Sequence, residues 1–370
     1  MQAVTHTSGC EQPRPTAWLT SPATRRPGRR PGRGVAKPRY YLIVTSRKFE
    51  SEQAKAEESL VLLEHVVANS EWQTGSELLD LLRNVVTAVR VKMPWETTPC
   101  NMVQRVIKIV IDEYNACREV SEGGGYQSLK QMMFVDPASG DLPECTETIP
   151  ELRNRILEVL AEHKAEIEQS QELIAVQGES KIHNDEVIMT CGMCPMVLAF
   201  LTKAAKRRKF HVIVAECAPK YDGHQMAKSL CSANIQTTLI QDCAVFPMMS
   251  RVNKVIIGTQ TVLSNGGIKT FVGAAPLASA AKFYSVPLYV CTPTYKFSLE
   301  SSEEVNHCGS RNVVVPPNSD IPSSVNVMVA KFDYVPPENV TSFITNNRGI
   351  APSYVYRQLS ELYHPTSYDL

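Results

Sequence analysis

Two cysteines three positions apart, Cys191 and Cys194, and two carboxylates, Glu216 and Asp242, are the side chains of this sequence best suited to bond-making chemistry. A thiolate attacks carbon or holds a soft metal ion. A positioned carboxylate gives or takes a proton. Loop glycines Gly223, Gly266 and Gly267 would let a main chain come close to a phosphate. Each of these groups also has an ordinary structural reading. Structural zinc asks for a second cysteine pair, which the remaining cysteines do not supply, and a redox CxxC asks for a thioredoxin-like setting. An acid just after a strand commonly caps the next helix and complements its dipole. Asn265-Gly266 is a turn dipeptide. Neither a Walker sequence nor a GxGxxG follows the first apolar strand, so nucleotide binding has no motif behind it. No metal and no cofactor is expected. His211 has no metal-spaced neighbour and reads as a partly buried or contact histidine. The basic run Lys203, Lys206, Arg207, Arg208 and Lys209 suits a helix C-terminus and reads as a solvated face.

The elements that position these groups follow from periodicity. Leu60, Leu62, Leu63, Val66 and Val67 fall on an apolar side, with Glu57, Glu58 and Glu64 outside. Leu78, Leu81, Leu82, Val85 and Val89 repeat the pattern behind a predicted N-cap at Ser76. A third helix starts near Asn101, with Val103, Val106, Ile107, Val110 and Tyr114 on one side. A fourth, from about Pro150, carries Leu152, Ile156, Leu160, Ile167, Leu173 and Ile174. Gly123-Gly124-Gly125 and the Pro/Asp/Gly-rich stretch to Pro143 read as a linker. After Lys181 the period changes. Short apolar runs at Val187–Met189, Val212–Val214, Thr238–Ile240, Val255–Ile257 and Leu288–Val290 alternate with helical patterns at Met196–Ala205, Gly223–Ala233 and Pro276–Tyr284. Such alternation predicts a parallel sheet covered on both faces.

The expected fold class is therefore α/β: an N-terminal helical domain over 46–180, then a doubly wound, mostly parallel, Rossmann-like sheet domain over 181–370. In such sheets ligands bind beyond the carboxyl ends of the strands. Those ends carry Thr190 and Cys191, Glu216, Asp242, Gly258 to Gln260, and Cys291 with Thr292.

Composition narrows the function. The chain has 370 residues, with 38 Lys plus Arg against 38 Asp plus Glu. Zero net charge argues against a dedicated nucleic-acid binder. No apolar run reaches the ~18–20 residues of a membrane span. Eleven cysteines in a long chain with no secretory leader point to a reducing compartment, the cytosol, with Cys217, Cys243 and Cys291 as free thiols in or beside apolar runs. Residues 1–45 are basic, proline-rich and predicted to be a disordered tail.

Further stretches carry a resemblance: His183-Asn184-Asp185-Glu186-Val187-Ile188-Met189-Thr190, Arg208-Lys209-Phe210-His211-Val212-Ile213-Val214-Ala215-Glu216-Cys217-Ala218-Pro219, Met249-Ser250-Arg251-Val252-Asn253-Lys254-Val255-Ile256-Ile257-Gly258, and Phe332-Asp333-Tyr334-Val335-Pro336-Pro337-Glu338, with Ala351-Pro352-Ser353-Tyr354 and Ser360-Glu361-Leu362-Tyr363-His364-Pro365 beyond. Together they closely resemble the alpha, beta and delta regulatory-subunit family of eukaryotic translation initiation factor 2B, its beta branch most of all. The resemblance implies a subunit of the guanine-nucleotide exchange factor for translation initiation factor 2, with no catalysis of its own. It implies alpha, gamma, delta and epsilon subunits as partners, and a role in binding the substrate's alpha subunit and sensing its phosphorylation. It also implies Asp185, Val187, His211, Ile213 and Thr238 as subunit-interface candidates.

The same fold family includes methylthioribose-1-phosphate isomerase, the alternative reading. That enzyme's cysteine, two residues after a threonine, falls here on Gly192. Its Gly-Ala-Asp aspartate falls on Gln260, and its Asn-Lys pair on Thr270-Phe271. Glutamine is no carboxylate acid or base. The resemblance thus implies a vestigial strand-end crevice at Gly192, Glu216, Asp242 and Gln260. Displaced chemistry at Cys191 with Asp242 or Glu216 is what the enzyme reading would need.

Overall fold

A hydroxyl opens each of the first two helices. Ser51 Oγ accepts from Ala54 N at 3.1 Å and starts α1 (Glu52–Asn69). Thr74 Oγ1 accepts from Glu77 N at 3.4 Å and starts α2 (Gly75–Lys92). The cap is thus Thr74 and not Ser76, which already lies inside the helix and uses its hydroxyl against that of Thr74. Helices α3 (Thr98–Ser121) and α4 (Leu152–Val176) follow. The computed structural model describes residues 51–93, 96–121, 145, 149–301, 322, 325–327, 329 and 330–365. The basic tail and most of the glycine-rich linker lie outside them.

The apolar stripes of the four helices meet in one core, with Leu63, Leu78, Leu82, Val106, Val110, Ile156 and Leu160 all fully buried. Arg153 of α4 closes this bundle from outside. Its guanidinium lies 4.7 Å from the Trp72 ring centroid and donates to the carbonyls of Ala68, in the last turn of α1, and of Ser70 and Trp72 just beyond it. Arg153→Ala should lower stability by about 1–2 kcal/mol, because it removes a stacked cation and leaves three carbonyls to water. Lysine should recover only part of this, since one ammonium cannot reproduce the planar fork. Urea unfolding of the two variants measures both effects.

A short helix, α5 (Gly178–Lys181), leads into the sheet. Strands β1 (Val187–Cys191), β2 (His211–Ala215), β3 (Gln236–Ile240), β4 (Lys254–Gly258), β7 (Leu288–Cys291) and β9 (Ser342–Ile344) run parallel, and β10 (Gly349–Ile350) pairs antiparallel to β9. Their spatial order is β10-β9-β7-β4-β1-β2-β3. A second, antiparallel sheet joins β5 (Thr261–Val262), β6 (Ile268–Thr270) and β8 (Asp333–Val335). Helices α6 (Pro195–Ala205) and α7 (Asp222–Ser232) cover one face together with the end of α4. Helices α8 (Val245–Met249), α9 (Ala274–Phe283) and α10 (Val355–Leu362) cover the other.

Side chains of the helices reach main chain at the strand ends and in α10. Asn101 donates to Tyr295 O at 3.3 Å, Gln177 to Thr345 O at 2.6 Å, and Lys108 to Ser360 O and Glu361 O at 3.1 and 2.6 Å. Glu166 of α4 is the charged point of this seam. It accepts from Asn346 Nδ2 at 3.0 Å and sits 3.1 Å from His163 Nδ1 and 3.5 Å from Arg105. The hydrogen bond with His163, then Arg105 and the Asn346 amide, hold its carboxyl below the ordinary 4.5 against the opposing effect of burial. A depressed folded-state pKa gives stability that is present above the unfolded value and lost as the pH falls through the folded one. Glu166→Gln should therefore flatten the decline of melting temperature between about pH 5 and 3, while leaving its slope at neutral pH unchanged.

Candidate functional site

The strand order reverses direction between β1 and β4, whose neighbours lead away on opposite sides. A parallel sheet opens its ligand crevice at this point. Here the chain's own side chains pack against its glycines. Gly192, at φ +65°, lies under the Phe271 ring; a Cβ on Gly192 would be 3.3 Å from it. Across the switch, a Cβ on Gly258 would fall 2.2 Å from Cys194 Sγ, so the thiol occupies the space that a side chain on β4 would need. Lys296 is buried and donates to Thr259 O at 2.7 Å. Thr190 Oγ1 and Tyr295 Oη are buried with no hydrogen-bond partner among the described residues, Tyr295 packing into the core of the four helices.

The candidate acids and thiols are engaged or suppressed. Asp242 accepts from Cys217 N at 2.9 Å and Ala218 N at 2.7 Å, and so organises the loop after β2. Asp333 does the same at the start of α9, accepting from Gly273 N and Ala275 N at 2.8 and 3.1 Å. Glu216 is half-buried with His224 Nε2 3.7 Å away. Gln260 is half-buried and donates its main-chain N–H to Lys269 O. Cys191 is buried, and its hydrogen bond with Cys217 and its burial raise its pKa well above the ordinary thiol range. Burial raises that of Cys291 likewise. Both are thiols at neutral pH, and a thiol is a poor nucleophile. Cys217 is buried as expected, whereas Cys243 is exposed at the start of a 3₁₀ turn. Among the described residues no group of three or more His, Cys, Asp or Glu is placed to hold a metal ion.

The glycines proposed for phosphate serve close packing instead. A Cβ on Gly223 would fall 2.0 Å from Ala215 O, and Gly266, at φ +80°, lies against Pro352 O. The basic run ends α6, with Lys203 paired to Glu172 and Arg207 to Glu179 at 3.1 Å.

The interface candidates fall together. Val187 is opposite His211 in the ladder, and Ile213 is opposite Thr238, so all four side chains share one face of the β1–β2–β3 edge. His211 Nε2 lies 2.8 Å from Thr238 Oγ1. Val187 and His211 are half-buried, while Asp185 and Thr238 are exposed. Ile213 differs: it is taken up by the chain's own core and offers no surface to a partner. The helices on this face add an aromatic group that the sequence did not reveal. Phe246, Phe283 and Tyr284 have ring centroids 5.1–5.3 Å apart, with Phe246 48% and Phe283 72% exposed. Its members come from helices 25 residues or more apart, so no local pattern marks them. Lys296 has no such pattern either, and Phe271 is marked in the sequence only as the place of the lost Asn-Lys pair, not as packing against Gly192.

Among the described residues no helix is long and apolar enough to cross a membrane. The profile of the initiation factor 2 subunit family matches residues 48–353. The translation initiation factor eIF2B subunit beta of Dictyostelium discoideum is 34% identical over 357 residues, covering 85% of this chain and 90% of the relative. A ribose 1,5-bisphosphate isomerase of Archaeoglobus fulgidus is 30% identical over 218 residues, covering 58% and 70%. The crystal structure of eIF2B beta from Chaetomium thermophilum superposes with a TM-score of 0.70 at 25% identity, covering 89% of this chain and 92% of that one.

Proposed function

The chain belongs to the initiation factor 2 subunit family, and we propose that it works within it as the beta-type regulatory subunit of translation initiation factor 2B, without catalysis of its own. The observation that carries this reading is the lining of the switch-point crevice, where Phe271 packs against Gly192 and Cys194 against Gly258, with Gly192 and Gln260 in place of the enzyme's cysteine and aspartate. What the fold leaves open is surface. The face that holds Asp185, Val187, His211 and Thr238, with Phe246 and Phe283 beside it, is the kind of exposed apolar and polar mixture that protein partners cover.

In this reading the α/β region over 181–370 builds the assembly with the alpha, gamma, delta and epsilon subunits in the cytosol. The helical region over 46–180 receives the alpha subunit of the substrate factor. Phosphorylation there adds roughly −1.5 to −2 charges, which favours docking in a different groove and holds the exchange arm in a less productive arrangement. Co-expression with the four other subunits, followed by native mass measurement, tests the assembly; a chain that stays monomeric overturns it. Nucleotide exchange with phosphorylated substrate, in complexes with and without this chain, tests the sensing. Unchanged inhibition in its absence defeats that part.

The isomerase relative supports a second reading. Turnover of ribose 1,5-bisphosphate or methylthioribose 1-phosphate that disappears on Cys191→Ser would establish it and sink the first.

A further inference from the structure

At the sheet edge opposite β3, two guanidiniums converge on one ring. Arg348, just before β10, has its guanidinium carbon 4.9 Å from the Tyr354 ring centroid and donates to Tyr354 Oη at 3.2 Å. Arg357, on the first turn of α10, lies 5.5 Å from the same centroid. Its only carboxylate among the described residues is Glu361, at 3.5 Å and with both side chains largely in water. Among the described residues Arg348 has no carboxylate within ion-pair distance. Tyr356, next to Arg357 in the chain, is 71% exposed, and Arg348 leads directly into the short edge strand Gly349–Ile350.

Like charges held on one ring repel each other, and each cation–π contact at an exposed site returns only about 0.5–1 kcal/mol. Such a pair makes sense when an anion joins it. Stacking fixes the two planar forks in advance, so little side-chain freedom is lost when carboxylates bind them. We propose that Arg348, Arg357 and the Tyr354 ring form a clamp for an extended acidic segment of a partner protein, laid along the β10 edge.

The charge of the chain selects a protein over a nucleic acid. Residues 1–40 hold eight of the 38 basic side chains and one of the 38 acids, so the remainder carries 30 against 37. A net acidic body repels a long polyanion, whose charges extend past the clamp, more than a short acidic peptide whose charges all lie on it. Tyr356 suits an apolar side chain flanking the acids.

The proposal goes beyond the subunit reading and stands or falls separately, since it concerns an edge that the β1–β3 face does not share. The test is fluorescence anisotropy of the full chain, in its complex, with a labelled peptide of alternating Asp, Glu and Gly, and with a single-stranded RNA of equal charge. The peptide should bind, and R348E/R357E should weaken it about tenfold. Tyr354→Leu, which keeps both charges and an apolar side chain, should weaken it several-fold because the forks are no longer organised. Melting curves should match the parent within a few degrees for both variants. Equal peptide affinity in Tyr354→Leu would overturn the clamp, as would tighter binding of the RNA that is lost on the same charge reversal. Assembly with the other subunits should be unaffected by either variant; a failure to assemble in the unsubstituted chain would instead count against the subunit reading.

Discussion

Replacing Gly223 with alanine should cost about 3 kcal/mol or more. The new methyl carbon would fall 2.0 Å from Ala215 O and 2.9 Å from Glu216 Cα, and both are main-chain atoms at the end of β2. A flexible side chain could swing aside, but a strand in the middle of a parallel sheet cannot without breaking its ladder to β1 and β3. Gly349→Ala is the matched control. Its nearest neighbour would be Ser342 Oγ at 3.7 Å, an ordinary contact. That change should stay within about 0.5 kcal/mol of the parent. Denaturant unfolding of the two variants gives the comparison; equal stabilities would mean that α7 does not press on β2 as described.

The second large effect is on assembly and uses the two faces of one strand. Thr238 and Leu239 are adjacent and both exposed, yet they point to opposite sides of β3. Thr238 lies on the face of His211 and Val187, and Leu239 on the face covered by α7. If the first face meets a partner subunit, Thr238→Arg buries an unpaired cation there and should weaken association at least a hundredfold, because such a charge costs several kcal/mol. Leu239→Arg should leave association close to normal. Co-purification followed by dilution series on a mass photometer reads the difference. If Thr238→Arg assembles as tightly as the parent, the face has been misassigned.

The strand ends and helix stripes were legible because each is a local pattern long enough to repeat. Val187–Met189, Val212–Val214, Val255–Ile257 and Leu288–Val290 all lie in strands, and the acids after them lie at their carboxyl ends. The antiparallel sheet escaped, as did β9, β10, α8 and α10. Thr261–Val262, Ile268–Thr270 and Asp333–Val335 are two or three residues long, too short for any period to show. Their pairing is decided by the loop they close over Thr259, whose hydroxyl donates to Thr261 O and Lys269 O. The crevice was half legible. The losses at Gly192 and Gln260 could be read residue by residue, but what packs there could not. Phe271 and Cys194 are 77 positions apart, and only the fold brings each against a glycine.

Three of the side chains that fasten the helices to the sheet region donate to main chain. Asn101, Lys108 and Gln177 supply the hydrogens, and main-chain carbonyls of Tyr295, Thr345, Ser360 and Glu361 receive them. Every amino acid brings the same carbonyl, so substitutions among the receiving residues leave these attachments intact. At these attachments drift in sequence is tolerated on the receiving side and penalised on the donating side, so two diverging copies of this fold can change the receiving residues while keeping their helices moored.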